Sequence, residues 1–352
     1  MPRRYYNFMI YALTFSVLFL LLLWINPETL VDKLFHLGIW VVLILIGLYL
    51  VDLIVRTYRW KVLLQAQGVD LPMKTLAPPI VSALAINLFT IARAGETVRL
   101  YVLKRYHDTR YADTFSSIVI EQVLSVMSLL IVITGSLVFI GGSLPQTSDY
   151  EALQTLIFLL FIIASIGLCI IGILGWHPEI GLRFISIFPK FLETRLSSAY
   201  KSFILGISDL SSTPSLLIKG LVTSISIWLL EGVMLFAITT SVFPVVTLID
   251  LPWTISASAA GNVTFFFPIL PGSIGGYEVM VAFVLINAPN YPGTFATLIA
   301  VIDRVMKTFI LGILGGYSII KLGGNELIRV SKDLTLRESF KGTTPPKEKD
   351  TS

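Results

Sequence analysis

"RAGETVRLYVLKRY", residues 93–106, closes a long apolar run and sets Arg93, Glu96 and Arg99 within seven residues. Around it lies a chain of 352 residues that is 55% hydrophobic and 14% charged, with mean hydropathy +0.82. Soluble domains usually carry about 25% charged residues. The apolar runs, about 17 to 27 residues long, have the length a helix needs to cross about 30 Å of hydrocarbon, whereas barrel strands are shorter and alternate. An all-α integral membrane protein is expected, and the fold turns on how it accommodates that charged stretch.

Six full spans are expected, at about 8–25, 37–58, 114–140, 153–175, 216–240 and 294–320, with two interrupted apolar stretches at 75–103 and 252–288. Arg3 and Arg4 precede the first span, but Asn26, Pro27 and Glu28 follow it where a cleavage site would need small residues, so it reads as an anchor. The single cysteine, Cys169, lies in an apolar run and has no partner for an internal disulfide.

With the N terminus in the cytoplasm, each span crossing once and each interrupted stretch returning to its own side, the basic residues sort by compartment. Setting aside Arg93, Arg99, Arg304 and Lys307, 22 of the 26 Lys and Arg remain, and all but Lys33 fall on the cytoplasmic side. This positive-inside pattern accounts for a pI near 9.0 without a nucleic-acid partner, and puts both termini in the cytoplasm of a cell-membrane protein. Residues 1–140 and 153–320 then repeat span, span, interrupted stretch, span in opposite orientation. Inverted repeats with broken helices are the architecture of many secondary transporters. Residues 190–211, apolar on one helical face and polar on the other, are expected to lie on the membrane surface between the halves. A single membrane domain, 1–336, is expected, and 337–352 reads as a disordered tail.

The candidate set is nine ionisable residues drawn from the apolar stretches: Arg93, Glu96, Arg99, Glu121, Glu231, Glu278, Asp303, Arg304 and Lys307. Exposing a central charge to lipid costs about 2.5–3.5 kcal/mol, so nine would cost about 20–30 kcal/mol, beyond a typical net stability of about 5–15 kcal/mol. They must face each other or a polar cavity, as a substrate site or a structural ion-pair network. Pro78 and Pro79 mark a helix start, and Ala94-Gly95 allows a turn before a helix over 96–105 that sets Glu96 and Arg99 at i,i+3. The tip of a re-entrant hairpin results.

The second stretch, "PILPGSIGGYEVMVAFVL" at 268–285, repeats the device: Pro268, Pro271, Gly272, Gly275 and Gly276 break the run before a half-helix carrying Glu278. Irregular backbone at membrane depth survives only beside protein or water, and a half-helix N terminus offers amides to an anion. In the last span Asp303 and Lys307, at i,i+4, neutralise each other and leave Arg304 for a phosphate oxygen.

At these residues the chain resembles the flippase-like transmembrane domain of lysylphosphatidylglycerol synthases and its stand-alone bacterial and archaeal relatives. The resemblance rests on "RAGETVRLYVL", "IEQVLSV" with Glu121, "PGSIGGYEVMV" and Arg304. It implies movement of a phospholipid or lipid-linked head group, polyprenyl-phosphate or glycolipid, between leaflets through a midplane cavity. It departs at Gln122 and Ser125, where the family often has Arg and Asp. With the chain ending at Ser352, no soluble synthase domain and no lysyl transfer are expected. The implied substrate site comprises Arg93, Gly95, Glu96, Arg99, Glu121, Pro271, Gly272, Gly275, Gly276, Glu278 and Arg304. Glu231, Asp303 and Lys307 are assigned to ion pairing or proton coupling.

The expected partners are membrane lipids with anionic head groups. Self-association and a functional link to a separate lipid-modifying or glycosyltransferase enzyme are compatible with that reading. The chain has no Gly-Lys-Ser/Thr nucleotide loop and no metal, cofactor or catalytic motif, so any drive would come from an ion or a gradient. Two rivals keep the architecture: an integral membrane enzyme of lipid-linked sugar metabolism, using Glu121 and Glu278 as an acid–base pair, and an ion-coupled small-solute transporter.

Overall fold

The computed structural model describes residues 37–90, 93–141, 177–187, 214–243, 245–266, 271–289 and 291–323, with isolated positions elsewhere. The expected spans 8–25 and 153–175, the tail 337–352 and most of the amphipathic segment 190–211 lie outside these residues. The described chain is helical, with no strand among the described residues. In chain order it runs α1 (Ile39–Ala66), α2 (Met73–Phe89), α3 (Glu96–His107), α4 (Tyr111–Gly141), α5 (Pro178–Ile185), α6 (Pro214–Val242), α7 (Leu251–Val263), α8 (Gly276–Ile286) and α9 (Gly293–Lys321).

Two helix lengths occur. α1, α4, α6 and α9 hold 28, 31, 29 and 29 residues. At about 1.5 Å per residue each exceeds the roughly 30 Å of a bilayer core. α1, α4 and α6 are apolar enough to cross a membrane, whereas α9 carries Asp303, Arg304 and Lys307 at its centre. α2, α3, α7 and α8 hold 17, 12, 13 and 11 residues, each shorter than that core at the same rise. They correspond to the interrupted stretches: α2 and α3 flank Ala94-Gly95, and α7 and α8 flank the turn at Pro271–Ser273.

Three boundaries differ from expectation. α1 runs to Ala66 rather than ending near Tyr58. α2 starts at Met73 with Pro78 and Pro79 inside it; their missing N–H groups spare only the carbonyls of Lys74 and Thr75, in a first turn where Lys74 is exposed. α8 begins at Gly276, one residue before the expected half-helix.

α6 packs against α1, α4, α7 and α9, and α9 packs also against α2 and α8. Their apolar faces form one continuous core, with Met234, Leu235, Val281 and Leu285 almost fully buried. Small residues let these backbones approach, since helices in lipid gain by close van der Waals packing. α7, "LPWTISASAAGNV", buries seven consecutive small or polar side chains from Ser256 to Asn262. Gly315 of α9 sits so close to α2 that a Cβ there would overlap the Ala85 methyl. Gly315→Ala should therefore lower the melting temperature in detergent, overpacking costing about 1–3 kcal/mol. Adding Ala85→Gly should recover most of the loss, and a double variant as unstable as the single one would refute this contact.

Candidate functional site

Asp52, Arg56 and Arg59 stand at i, i+4 and i+7 on α1 and so share one helical face. Asp52 is 1% exposed and Arg59 3% exposed. The positive-inside count credits both arginines to the cytoplasmic flank, although Arg56 falls inside the expected span 37–58; α1, which continues past Tyr58 to Ala66, carries both into the bundle. They are the main site residues that sequence reasoning missed. The signal for them was present, because three charges at helical spacing on an apolar helix cannot all face lipid.

Two carboxylates organise the charges. Glu121 of α4 accepts from Arg59 of α1 at 2.6 Å and from Arg99 of α3 at 2.5 Å, one guanidinium on each oxygen. Arg99 also donates to Glu96 at 2.8 Å, the expected i,i+3 pair, and stacks 4.1 Å over the ring of Trp60. Arg59 donates further to Ser125 Oγ and Ser224 Oγ at 3.0 and 3.1 Å. Glu231 of α6 takes the same part in the second network: it accepts from Arg56 at 2.8 Å and from Lys307 of α9 at 2.5 Å. Behind it Asp52 holds Arg56 at 2.6 Å, and Asp303 lies 2.9 Å from Lys307 and accepts from Tyr277 Oη at 2.6 Å.

The remaining two cations are held more loosely. Arg93, in a left-handed conformation (φ 56°), donates to Gln122 Oε1 at 2.7 Å, and its nearest carboxylate, Glu96, is 3.5 Å away. Arg304 donates to the Gly272 carbonyl, lies 3.5 Å from Glu278, and sits over the rings of Phe265 and Tyr277. It is therefore tied into the turn rather than left unengaged by the Asp303–Lys307 pair.

The two interrupted stretches meet at this point. Gly272 (φ 57°) rests against the end of α2, where a Cβ would come 2.6 Å from the Leu88 carbonyl. Asn87 of α2 donates to Glu96 and accepts from the Gly95 amide. Between the stretches lies a cavity of about 150 Å³. Arg93, Glu96, Arg99, Glu121, Gly272 and Arg304 line it, together with Arg56, Arg59, Glu231 and Lys307. Other expected residues do not line it. Gly275 (φ 86°) gives its amide to Glu278 at 2.7 Å, so this N-terminal donor of α8 is already taken, and Gly276 packs on Thr264. Glu278 and Asp303 lie behind the wall, and Gly95 is pressed against the Ala83 carbonyl as a close-packing residue. Pro271 opens the turn. Among the described residues no cluster of His, Cys, Asp or Glu could hold a metal.

These features define an all-helical, multi-pass membrane protein with a charged internal cavity between two broken helical stretches. The chain belongs to the family of the lysylphosphatidylglycerol synthase transmembrane region, whose model matches residues 9–315. It is similar to a UPF0104 membrane protein of Methanothermobacter thermautotrophicus, 24% identical over 81% of this chain and 86% of the relative. It is also similar to the glycosyltransferase AglD of Haloferax volcanii, 24% identical over 93% of this chain. That match spans only 56% of the transferase. A second UPF0104 membrane protein, from Methanocaldococcus jannaschii, is 24% identical over 65% of this chain.

Glu121 separates two buried guanidiniums, each 4% exposed. Glu121→Gln removes their shared counter-charge, and breaking a buried pair costs about 3–5 kcal/mol. Thermal unfolding in detergent should fall markedly for Glu121→Gln and recover in part when Arg59→Gln is added. An unchanged Glu121→Gln protein would mean that the network is not buried as described.

Proposed function

We propose that this protein moves a lipid with an anionic head group between the leaflets of the cell membrane, with both termini in the cytoplasm and the two broken stretches acting as re-entrant hairpins. The observation that carries the reading is the charge facing the cavity. Six cations line it, Arg56, Arg59, Arg93, Arg99, Arg304 and Lys307, against three carboxylates, Glu96, Glu121 and Glu231. Asp52, Glu278 and Asp303 balance the cations from behind.

Four of those cations have a carboxylate within 2.8 Å and act as locks. Arg93 and Arg304, each 3.5 Å from its nearest carboxylate, are the two that can be lent to a phosphate at least cost. Arg93 comes from the first interrupted stretch and Arg304 from α9, where it is tied to the Gly272 turn of the second, so a head group between them would bridge the halves. Leu84 and Leu88 of α2, Phe265 and Phe266 just after α7, and Leu311 of α9 give the same cavity apolar walls, which suits a ligand whose tail remains in lipid. The family of the chain and a relative named as a glycosyltransferase favour a phospholipid or a lipid-linked carrier.

A non-enzymatic role fits better than acid–base catalysis. Glu121 is locked between two arginines, and Glu278 is turned away from the cavity onto Gly275, so the two do not form a working pair. A small-solute transporter would use the same cations and differs in what binds.

Lipids co-purified with the wild type, Arg93→Ala and Arg304→Ala, and identified by mass spectrometry, test the reading. One anionic lipid should be enriched on the wild type and fall about tenfold or more in each variant, the scale of one lost charge-assisted hydrogen bond. Wild-type proteoliposomes should then move that lipid between leaflets. No enrichment, or equal enrichment in all three, would leave the charges as a structural network or a small-solute path.

A further inference from the structure

Counting charge by network exposes an imbalance that geometry alone does not. Around Glu121, the cations Arg59 and Arg99 match the carboxylates Glu96 and Glu121. Arg304 matches Glu278. Arg93 stands in surplus, and the matching deficit lies in the Glu231 network, where Asp52, Glu231 and Asp303 share only Arg56 and Lys307. Three buried carboxylates on two cations call for one more positive charge.

Two buried oxygens in this network, Asp52 Oδ1 and Asp303 Oδ1, have no hydrogen-bond partner. Of the three carboxylates Asp303 is the most buried and has the longest nearest ion pair. Glu231 receives both cations at 2.8 Å or closer, and Asp52 holds Arg56 at 2.6 Å. Asp303, fully buried, has only Lys307 at 2.9 Å and the neutral Tyr277 hydroxyl. The charged and titratable groups in and beside this network come from four elements, Tyr49, Asp52 and Arg56 of α1, Glu231 of α6, Tyr277 and Glu278 of α8, and Arg304 and Lys307 of α9; α2, which also packs on α9, carries only the exposed Lys74. The carboxylates are interleaved with cations on α1, α6 and α9 instead of converging on one point, which suits a proton better than a chelated ion.

We infer that the missing charge is a proton carried on Asp303, so that the protein has two loading sites: Arg93 with Arg304 for the anion, and Asp303 for a proton. Proton transfer is between the Asp303 carboxyl and water in the cavity, with the Tyr277 hydroxyl, hydrogen-bonded to Asp303 and lined on the cavity, as the group between them. Adding an anion at Arg93 makes the whole set of charges more negative and so favours the protonated form, which couples the two sites in the direction of joint loading. The anion half of this statement rests on the proposed function; the proton site does not.

Infrared spectroscopy of the protein in lipid nanodiscs tests it. At pH 7 the wild type should show a protonated-carboxyl band that shifts in D2O, disappears in Asp303→Asn, survives in Asp52→Asn, and returns at a changed frequency in Asp303→Glu. No such band in the wild type, or a band that persists in Asp303→Asn, overturns the inference. The two readings fail separately. A band without any enriched lipid leaves the proton site and removes the lipid; an enriched lipid without the band leaves the lipid and removes the proton.

Discussion

A carboxylate set between two cations is the interaction on which this structure depends. Twelve charged side chains, six of each sign, are gathered among apolar helices, and no such set is tolerable in lipid unless it is internally matched. Glu121 and Glu231 do the matching. Each sits well inside a long helix, and each draws one cation from α1 and one from another element. α1 thereby belongs to both networks, and its Arg56 and Arg59 fasten the two halves of the described chain together.

The same constraint explains the broken helices. A continuous helix through residue 93 or 272 would satisfy its own amides and carbonyls and leave nothing irregular at membrane depth. The turns are tolerated because each is hydrogen-bonded by a side chain: Asn87 at Gly95 and Arg304 at Gly272, both lining the cavity, and Glu278, behind its wall, at Gly275. Packing supplies the rest, through glycines that bring α2 onto α3 and α9.

Much of this was legible in the sequence, and the limits of legibility have physical causes. Hydropathy located α1, α4, α6 and α9, because long apolar runs have few alternatives. The i,i+3 and i,i+4 rules paired Glu96 with Arg99 and Asp303 with Lys307, because such contacts are local. Local rules could not foresee that Arg56 would reach Glu231, 175 residues away, or that Arg59 would reach Glu121. Nor could they tell that the Gly275 amide would be used up by Glu278, since a glycine-rich turn and a ligand cradle look alike until the side chains are placed. One correspondence is visible only in retrospect. Glu121, Gln122 and Ser125 on α4 have the spacing of Asp303, Arg304 and Lys307 on α9, so Gln122, the partner of Arg93, stands where the other helix has an arginine.

The central claim is that Arg93 and Arg304 face one enclosed anion site between the two broken stretches. A cryo-electron microscopy map of the protein in nanodiscs that contain anionic lipid tests it most directly. Head-group density should appear within hydrogen-bonding distance of both guanidiniums, with the acyl chains leaving past Leu88 and Phe265. A map in which either arginine points into the bilayer, or in which the head groups bind only at the protein surface, would contradict it.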